Sequence, residues 1–375
     1  MVAALALVTF GVTCAAGIPA GARAAGSDLT WTVLQPTVPA RGDVDLYGVA
    51  PISPTDVWAV GIAGSSRLIL HWDGAAWSRA TGVAALPGAV RAVSARASSD
   101  VWAVGHSSAP RARVLHYDGA SWTSQSLPPL GDGTSTLRAV SAQPGASIWA
   151  VGRAGIAPLA MRLVDGVWRV TPLPNAVSGQ LESVVAVAKG DVWAVGWRHP
   201  AGESWRYLPL AYRWNGSTWS RVSMPVRDYR LPSQCSVPLG VAGADRDHVW
   251  VAGYSEGDPG GDGGPRAEVW RWSGSAWRLA AVPTFHSSNM MRGVVAISAD
   301  DVWAFGDTDY DGAMALHLQG NGWVGVDLPD VYTGPAGLDL LYGGGASGAN
   351  DLWAVGAAAP SSGQSTALVL HGVEE

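Results

Sequence analysis

The hexapeptide Asp-Val-Trp-Ala-Val-Gly, or a near variant, occurs seven times, with its tryptophan at Trp58, Trp102, Trp149, Trp193, Trp250, Trp303 and Trp353. A short unit repeated at this period cannot bury its apolar faces alone, so it must stack on copies of itself. A second echo, glycine followed within three residues by tryptophan, ends at Trp77, Trp122, Trp168, Trp219, Trp277 and Trp323. Each unit therefore carries two large apolar anchors at fixed places.

The segments around these anchors read as four strands. Strand a has apolar positions with small neighbours, as in 46–53, 90–95, 137–142 and 181–188. A tight polar turn (Ser53-Pro54-Thr55-Asp56) leads into strand b, Val57-Trp58-Ala59-Val60. Strand c is Leu68 to Trp72 or Val114 to Tyr117, and Asp73-Gly74 or Asp118-Gly119 turns the chain into strand d with the second tryptophan. A proline often closes the unit, as at Pro87, Pro128, Pro174, Pro225, Pro283 and Pro329. Alternation along strand b puts Val57 and Ala59 on one face and Trp58 and Val60 on the other. A four-stranded sheet with one small and one bulky face stacks on its neighbour, and the stack closes around an axis as an all-β, seven-bladed β-propeller of antiparallel blades. No stretch holds the 3.6-residue apolar period of a helical solenoid.

Repeats are expected near 46–87, 90–128, 137–174, 181–225, 238–283, 291–329 and 340–372 within a propeller spanning 26–375. The seventh lacks its outer strand. The tryptophan that should complete it lies at the other end, in Leu29-Thr30-Trp31-Thr32-Val33 of segment 29–39, so the N-terminal strand is expected to finish the last blade.

Bulk properties narrow the function. The 375 residues are 48% hydrophobic and 14% charged with net charge −6, which excludes a disordered chain. The 24 basic residues, all arginine except Lys189, form no run or stripe, so no nucleic-acid partner is expected. Residues 1–25 are small and apolar, end near Ala22-Arg23-Ala24, and read as a secretory signal peptide. Cys14 lacks a lipidation box around it, and no other segment is apolar enough for a transmembrane helix. After cleavage Cys235 stands alone, so the mature, secreted protein, extracellular or in the cell envelope, holds together without an internal disulfide.

Polar residues repeated in most units are expected to be structural. The aspartate before the motif tryptophan (Asp56, Asp100, Asp191, Asp301, Asp351) is read as a turn cap bonding its own backbone. His71, His116, His317 and His371 alternate with Arg162, Arg213 and Arg271 at one position of strand c and are read as polar caps.

The pattern Val-Trp-Ala-Val-Gly, followed by Val114-Leu115-His116-Tyr117-Asp118-Gly119-Ala120-Ser121-Trp122 and a proline, resembles kelch repeats over nearly all of 29–372. Where kelch repeats pair two glycines, this chain has one, such as Gly61, Gly105 or Gly152. Asp73-Gly74-Ala75-Ala76-Trp77 is similar to a shortened Asp-box of sialidase-like and photosystem-assembly-like propellers. Both resemblances imply a propeller and no activity. The two tyrosines, two histidines and cross-linked cysteine of kelch-type copper oxidases find no matching motif here, nor do the Phe-Arg-Ile-Pro motif and arginine triad of sialidases.

Function is expected where units exceed the repeat minimum. The motif tryptophans are 44, 47 and 44 residues apart, then 57, 53 and 50. The excess falls in the b–c segments 197–207 and 254–266, with neighbouring d–a segments around Tyr229 and His286. Trp197, His199, Glu203, Trp205, Tyr207, Tyr229, Tyr254, Glu256, His286 and Tyr310 are the candidate ligand-binding residues, since aromatic faces beside charged groups suit glycan recognition. Asp307, Asp309 and Asp311, before Gly312, resemble a calcium-binding loop, although Ala315 and Leu318 stand where a later carboxylate would be expected. His199, Glu203, Glu256, Asp258, Asp262 and His286 could serve a hydrolase or lyase, but their spacing selects no reaction. The sequence thus points to a binding or scaffold module for a glycan or protein partner. A glycan-directed enzyme and a purely structural cell-envelope protein are the alternatives.

Overall fold

The computed structural model describes residues 29–38, 41–81, 86–175, 177–227, 235–256, 264–283, 288–308, 312–320, 322–332 and 337–374. Residues 1–28, Tyr229, His286, Asp309, Tyr310 and Asp311 lie outside the described residues, as do Asp258 and Asp262. Every regular element described is a strand.

Seven four-stranded antiparallel meanders form the molecule. Strand β1 is Leu29–Val33. Blade one runs β2 (Val44–Ser53), β3 (Asp56–Ala63), β4 (Ser66–Trp72) and β5 (Trp77–Arg79), and blade two β6 (Gly88–Ala97), β7 (Asp100–Ser107), β8 (Ala112–Tyr117) and β9 (Trp122–Ser124). Blade three is β10 (Ser135–Ser141), β11 (Trp149–Ala154), β12 (Ala157–Val164) and β13 (Val167–Val170). Blade four comprises β14 (Gly179–Ala188), β15 (Asp191–Arg198), β16 (Leu208–Trp214) and β17 (Trp219–Val222). Blade five contains β18 (Cys235–Gly243), β19 (Val249–Glu256), β20 (Arg266–Trp272) and β21 (Trp277–Leu279). Blade six follows with β22 (Asn289–Ala296), β23 (Val302–Thr308), β24 (Gly312–Gln319) and β25 (Gly322–Val326). Blade seven has β26 (Gly337–Gly348), β27 (Asp351–Pro360) and β28 (Thr366–Glu374), and takes β1 as its outer strand. Leu29 faces Glu374, Trp31 faces Gly372 and Val33 faces Leu370, so the two ends share one sheet as the repeat arithmetic requires.

The core consists of interblade layers. Trp58 and Val60 of blade one pack on Val101 and Ala103 of blade two. The same contact repeats around the ring and closes where Trp353 and Val355 meet Val57 and Ala59. At the last seam but one, Trp31 meets Trp303 and Phe305 edge-on at 5.7 and 5.9 Å. The alternation read from strand b thus decides which faces touch.

The repeated aspartates do something other than the expected backbone cap. Each motif tryptophan lies directly opposite the strand-c histidine or arginine in the sheet register, as in Trp58 with His71 and Trp193 with Arg213. Histidine rings stack on tryptophan at 4.3, 4.1, 4.0 and 3.9 Å in blades one, two, six and seven. The aspartate then accepts from the imidazole: Asp56 from His71 at 2.8 Å, Asp100 from His116 at 2.9 Å, Asp301 from His317 at 3.0 Å and Asp351 from His371 at 2.7 Å. In blade four Asp191 takes a two-pronged contact from Arg213 at 2.9 and 2.7 Å. The two blades without this aspartate, at Ser147 and His248, both carry arginine on strand c, and Arg162 and Arg271 lie over Trp149 and Trp250. An imidazole in that slot needs an acceptor, whereas a guanidinium stays charged and rests on the tryptophan face through a cation–π contact. A strut linking strands b and c therefore replaces the local cap.

Candidate functional site

Strand a of every blade carries a β-bulge at one repeat position. The register slips between Leu46 and Gly48, Val90 and Ala92, Leu137 and Ala139, Leu181 and Ser183, Pro238 and Gly240, Met291 and Gly293, and Leu341 and Gly343. The extra residues are Tyr47, Arg91, Arg138, Glu182, Leu239, Arg292 and Tyr342. They encircle the mouth of the central channel, around a cavity of about 510 Å³, on the face shared by the b–c and d–a loops. The motif glycine makes the bulge possible. A Cβ on Gly61 or Gly356 would run into the carbonyl oxygen of Asp45 or Leu340 on strand a. The same clash arises at Gly105, Gly152, Gly196, Gly253 and Gly306.

The residue after that glycine forms a second tier behind the first. There stand Ile62, His106, Arg153, Trp197, Tyr254, Asp307 and Ala357. Trp197 donates its indole N–H to Glu182 Oε1 at 2.9 Å, and Gln180 donates to the same oxygen at 2.5 Å. Arg138 of the preceding blade holds Glu182 Oε2 at 2.7 Å. Asp307 binds Arg292 with both oxygens, at 2.5 and 3.3 Å. Arg91 lies over the Tyr47 ring at 4.3 Å, Arg292 over Tyr342 at 5.3 Å, and the two tyrosines face each other at 5.6 Å.

Burial sets the electrostatics. It pushes the Tyr342 and Tyr254 phenols up to about 12, and the Tyr47 phenol upward as well, so all three stay protonated donors through neutral pH. Burial also draws Arg91 below the usual guanidinium range, with Arg138 adding repulsion and Tyr47 and Glu182 opposing it. For Arg292 burial acts downward, yet the bonds from Asp307 outweigh it and hold the cation above its ordinary value. His106 is lowered by burial and by the nearby arginines, which favours its neutral form.

The residues singled out in the sequence divide between this mouth and a rim outside it. Trp197 and Tyr254 are strand residues of the second tier. Asp307 is likewise a strand residue, and its carboxylate is engaged by Arg292; Asp309 and Asp311 fall outside the described residues. Among the described residues no group of three or more His, Cys, Asp or Glu could hold a metal ion. On the rim, Trp197, His199 and Tyr207 form an aromatic cluster with ring separations of 4.9 to 5.1 Å. His199 Nδ1 meets the Arg206 carbonyl at 2.9 Å and Arg206 meets Glu203 at 3.5 Å, so the histidine and the glutamate brace this loop. Trp205 is 54% exposed and Tyr207 36%, and Glu256 is exposed at the end of β19. A cavity of about 540 Å³ opens beside them, between Val177, Arg198, His199 and Ser204.

Sequence reasoning missed the first tier. Its residues vary between blades as Tyr, Arg, Arg, Glu, Leu, Arg and Tyr inside an otherwise regular strand a. The available signal was the invariant glycine ending strand b, since glycine inside a strand marks a close backbone approach.

No protein-family model matches the chain, and no curated protein is significantly similar to it. Solved propellers do resemble it in shape. A structure of YCF48 bound to D1 peptide shares 15% identity over 92% of this chain and 97% of its own, with a TM-score of 0.56. YCF48 from Cyanidioschyzon merolae shares 16% over 91% and 98%, at 0.58. The WD40 β-propeller domain of Doa1 shares 12% over 92% and 98%, at 0.56. Identities this low establish the propeller architecture alone.

Proposed function

We propose that the chain is an exported binding module that recognises a glycan on the face bearing the channel mouth. The observation that carries this reading is the bond from Trp197 to Glu182, which joins the rim aromatics to the polar ring. Stacking surfaces for sugar C–H faces thereby adjoin donors and acceptors suited to hydroxyls. The apolar leader in residues 1–25 supports export. A protein partner is the second reading, favoured by the exposure of Trp205 and Tyr207 together, since exposed aromatics anchor protein interfaces as well. A glycan array probed with the full chain tests the proposal. Binding that weakens at least tenfold in Trp205→Ala and Tyr207→Ala is expected. Repeating the array with a chelator tests dependence on calcium. Sugar binding indifferent to both substitutions would place recognition elsewhere, and a cleaved product would identify an enzyme instead.

A further inference from the structure

Of the three arginines in the first tier, two already have carboxylates. Arg138 is paired with Glu182 at 2.7 Å and Arg292 with Asp307 at 2.5 Å. Arg91 is different: its described neighbours are the ring and hydroxyl of Tyr47, and the carboxylate that acts on it, Glu182, is taken by Arg138, Trp197 and Gln180. A largely buried cation without a carboxylate is costly, and an anion of matching geometry relieves that cost. The cavity in front of it is open to solvent at the channel mouth and holds about 510 Å³, room for a small oligosaccharide segment.

We propose that this mouth binds an acidic sugar, with its carboxylate on the Arg91 guanidinium. The inference rests on the glycan-binding reading and adds a subsite and a charge to it. A guanidinium fork matches both oxygens of a carboxylate. The Arg138–Glu182 pair beside it presents a donor and an acceptor together, which suits the adjacent hydroxyls of a sugar ring, and the protonated Tyr342 phenol adds a further donor. Leu239 is the one aliphatic side chain in the first tier, so the ring offers a ligand mainly polar and aromatic contacts, which favours a sugar over the apolar side chains of a peptide.

Isothermal titration of the full chain with an oligogalacturonate, its carboxyl-reduced neutral counterpart and an acidic peptide of similar charge tests the assignment. The uronate is expected to bind at least tenfold more tightly than the reduced sugar, and to weaken further in high salt. Arg91→Gln is expected to remove that preference, and Arg91→Lys to restore part of it, since charge returns without the fork. A thermal melt of each variant reports whether the propeller is intact. Equal binding of charged and reduced sugars overturns the carboxylate site but leaves the glycan reading standing. Arg91-dependent binding of the peptide in preference to the sugar overturns the sugar. Binding of no sugar at all overturns both readings.

Discussion

At the scale of single residues, the Trp–His–Asp strut shows how a polar group can support a core built from tryptophan. Burial alone would push the Asp351 carboxyl up, but the bonds from His371, Ser347 and Trp353 more than reverse it and hold it below the usual carboxylate range. Its stabilising effect is therefore present at neutral pH and lost as pH falls through that lowered value. Asp351→Ser should cost about 2 kcal/mol, because His371 loses its acceptor. Adding His371→Arg, which gives blade seven the pairing of Ser147 and Arg162 in blade three, should recover part of that loss. Denaturant titration of the two single variants and the double variant measures the coupling; additive costs would refute the strut. Glu268 behaves oppositely. Fully buried against Ser236 and facing Arg227, its carboxyl is pushed up to about 7 by burial. The unfolded chain releases that proton near pH 4.5, so stability should decline from about pH 4.5 to 7, by roughly 3 kcal/mol. Melting curves of Glu268→Gln against the parent across this range should show the decline removed in the variant.

Among elements, the bulged strand a is the feature that turns a regular repeat into a lined opening. The bulge re-aims one side chain per blade toward the axis, and the glycine opposite leaves room for the displaced carbonyl. Gly356→Ala should therefore force strand β26 away from β27 and cost about 3 kcal/mol, with a lowered denaturation midpoint. Gly322→Ala, where a Cβ meets nothing within 4 Å, should change stability by less than about 0.5 kcal/mol. Equal effects at the two sites would mean that the glycines matter for chain entropy alone. The Asx turns between the outer strands are a local counterpart: Asp73 accepts from the backbone of Ala75 and Ala76 at 2.9 Å each, and Asp118 from Ala120 and Ser121 at 3.0 and 2.8 Å.

For the whole molecule, closure depends on a strand that is contributed from the opposite end of the chain. Separating β1 from β28 would uncover Trp31, Trp303 and Phe305 together. Thr30 and Val373 face each other across that pair, and both can be replaced by cysteine without touching the tryptophan. The oxidised Thr30→Cys/Val373→Cys variant should melt several degrees above its reduced form. Tying such distant residues restricts the unfolded chain by roughly 5 kcal/mol in the loop-entropy account. No rise on oxidation, with the bond confirmed by mass, would show that unfolding begins at another seam.

By itself the sequence determined the blade count, the two-faced strand b and the closure by Trp31. These follow from local alternation and repetition, which a linear chain displays directly. It also marked Trp197, Tyr254 and Asp307, although as loop residues, because long spacings drew attention to the segments that begin there. Only the tertiary structure decided that they form one tier behind the bulges, and that Arg91 faces the channel mouth without a paired carboxylate among the described residues. A bulge shifts register between strands, and its side chain gains neighbours from blades more than forty residues away, such as Glu182 beside Arg138. Such pairings exist once the ring has closed, and no window of the sequence contains both partners.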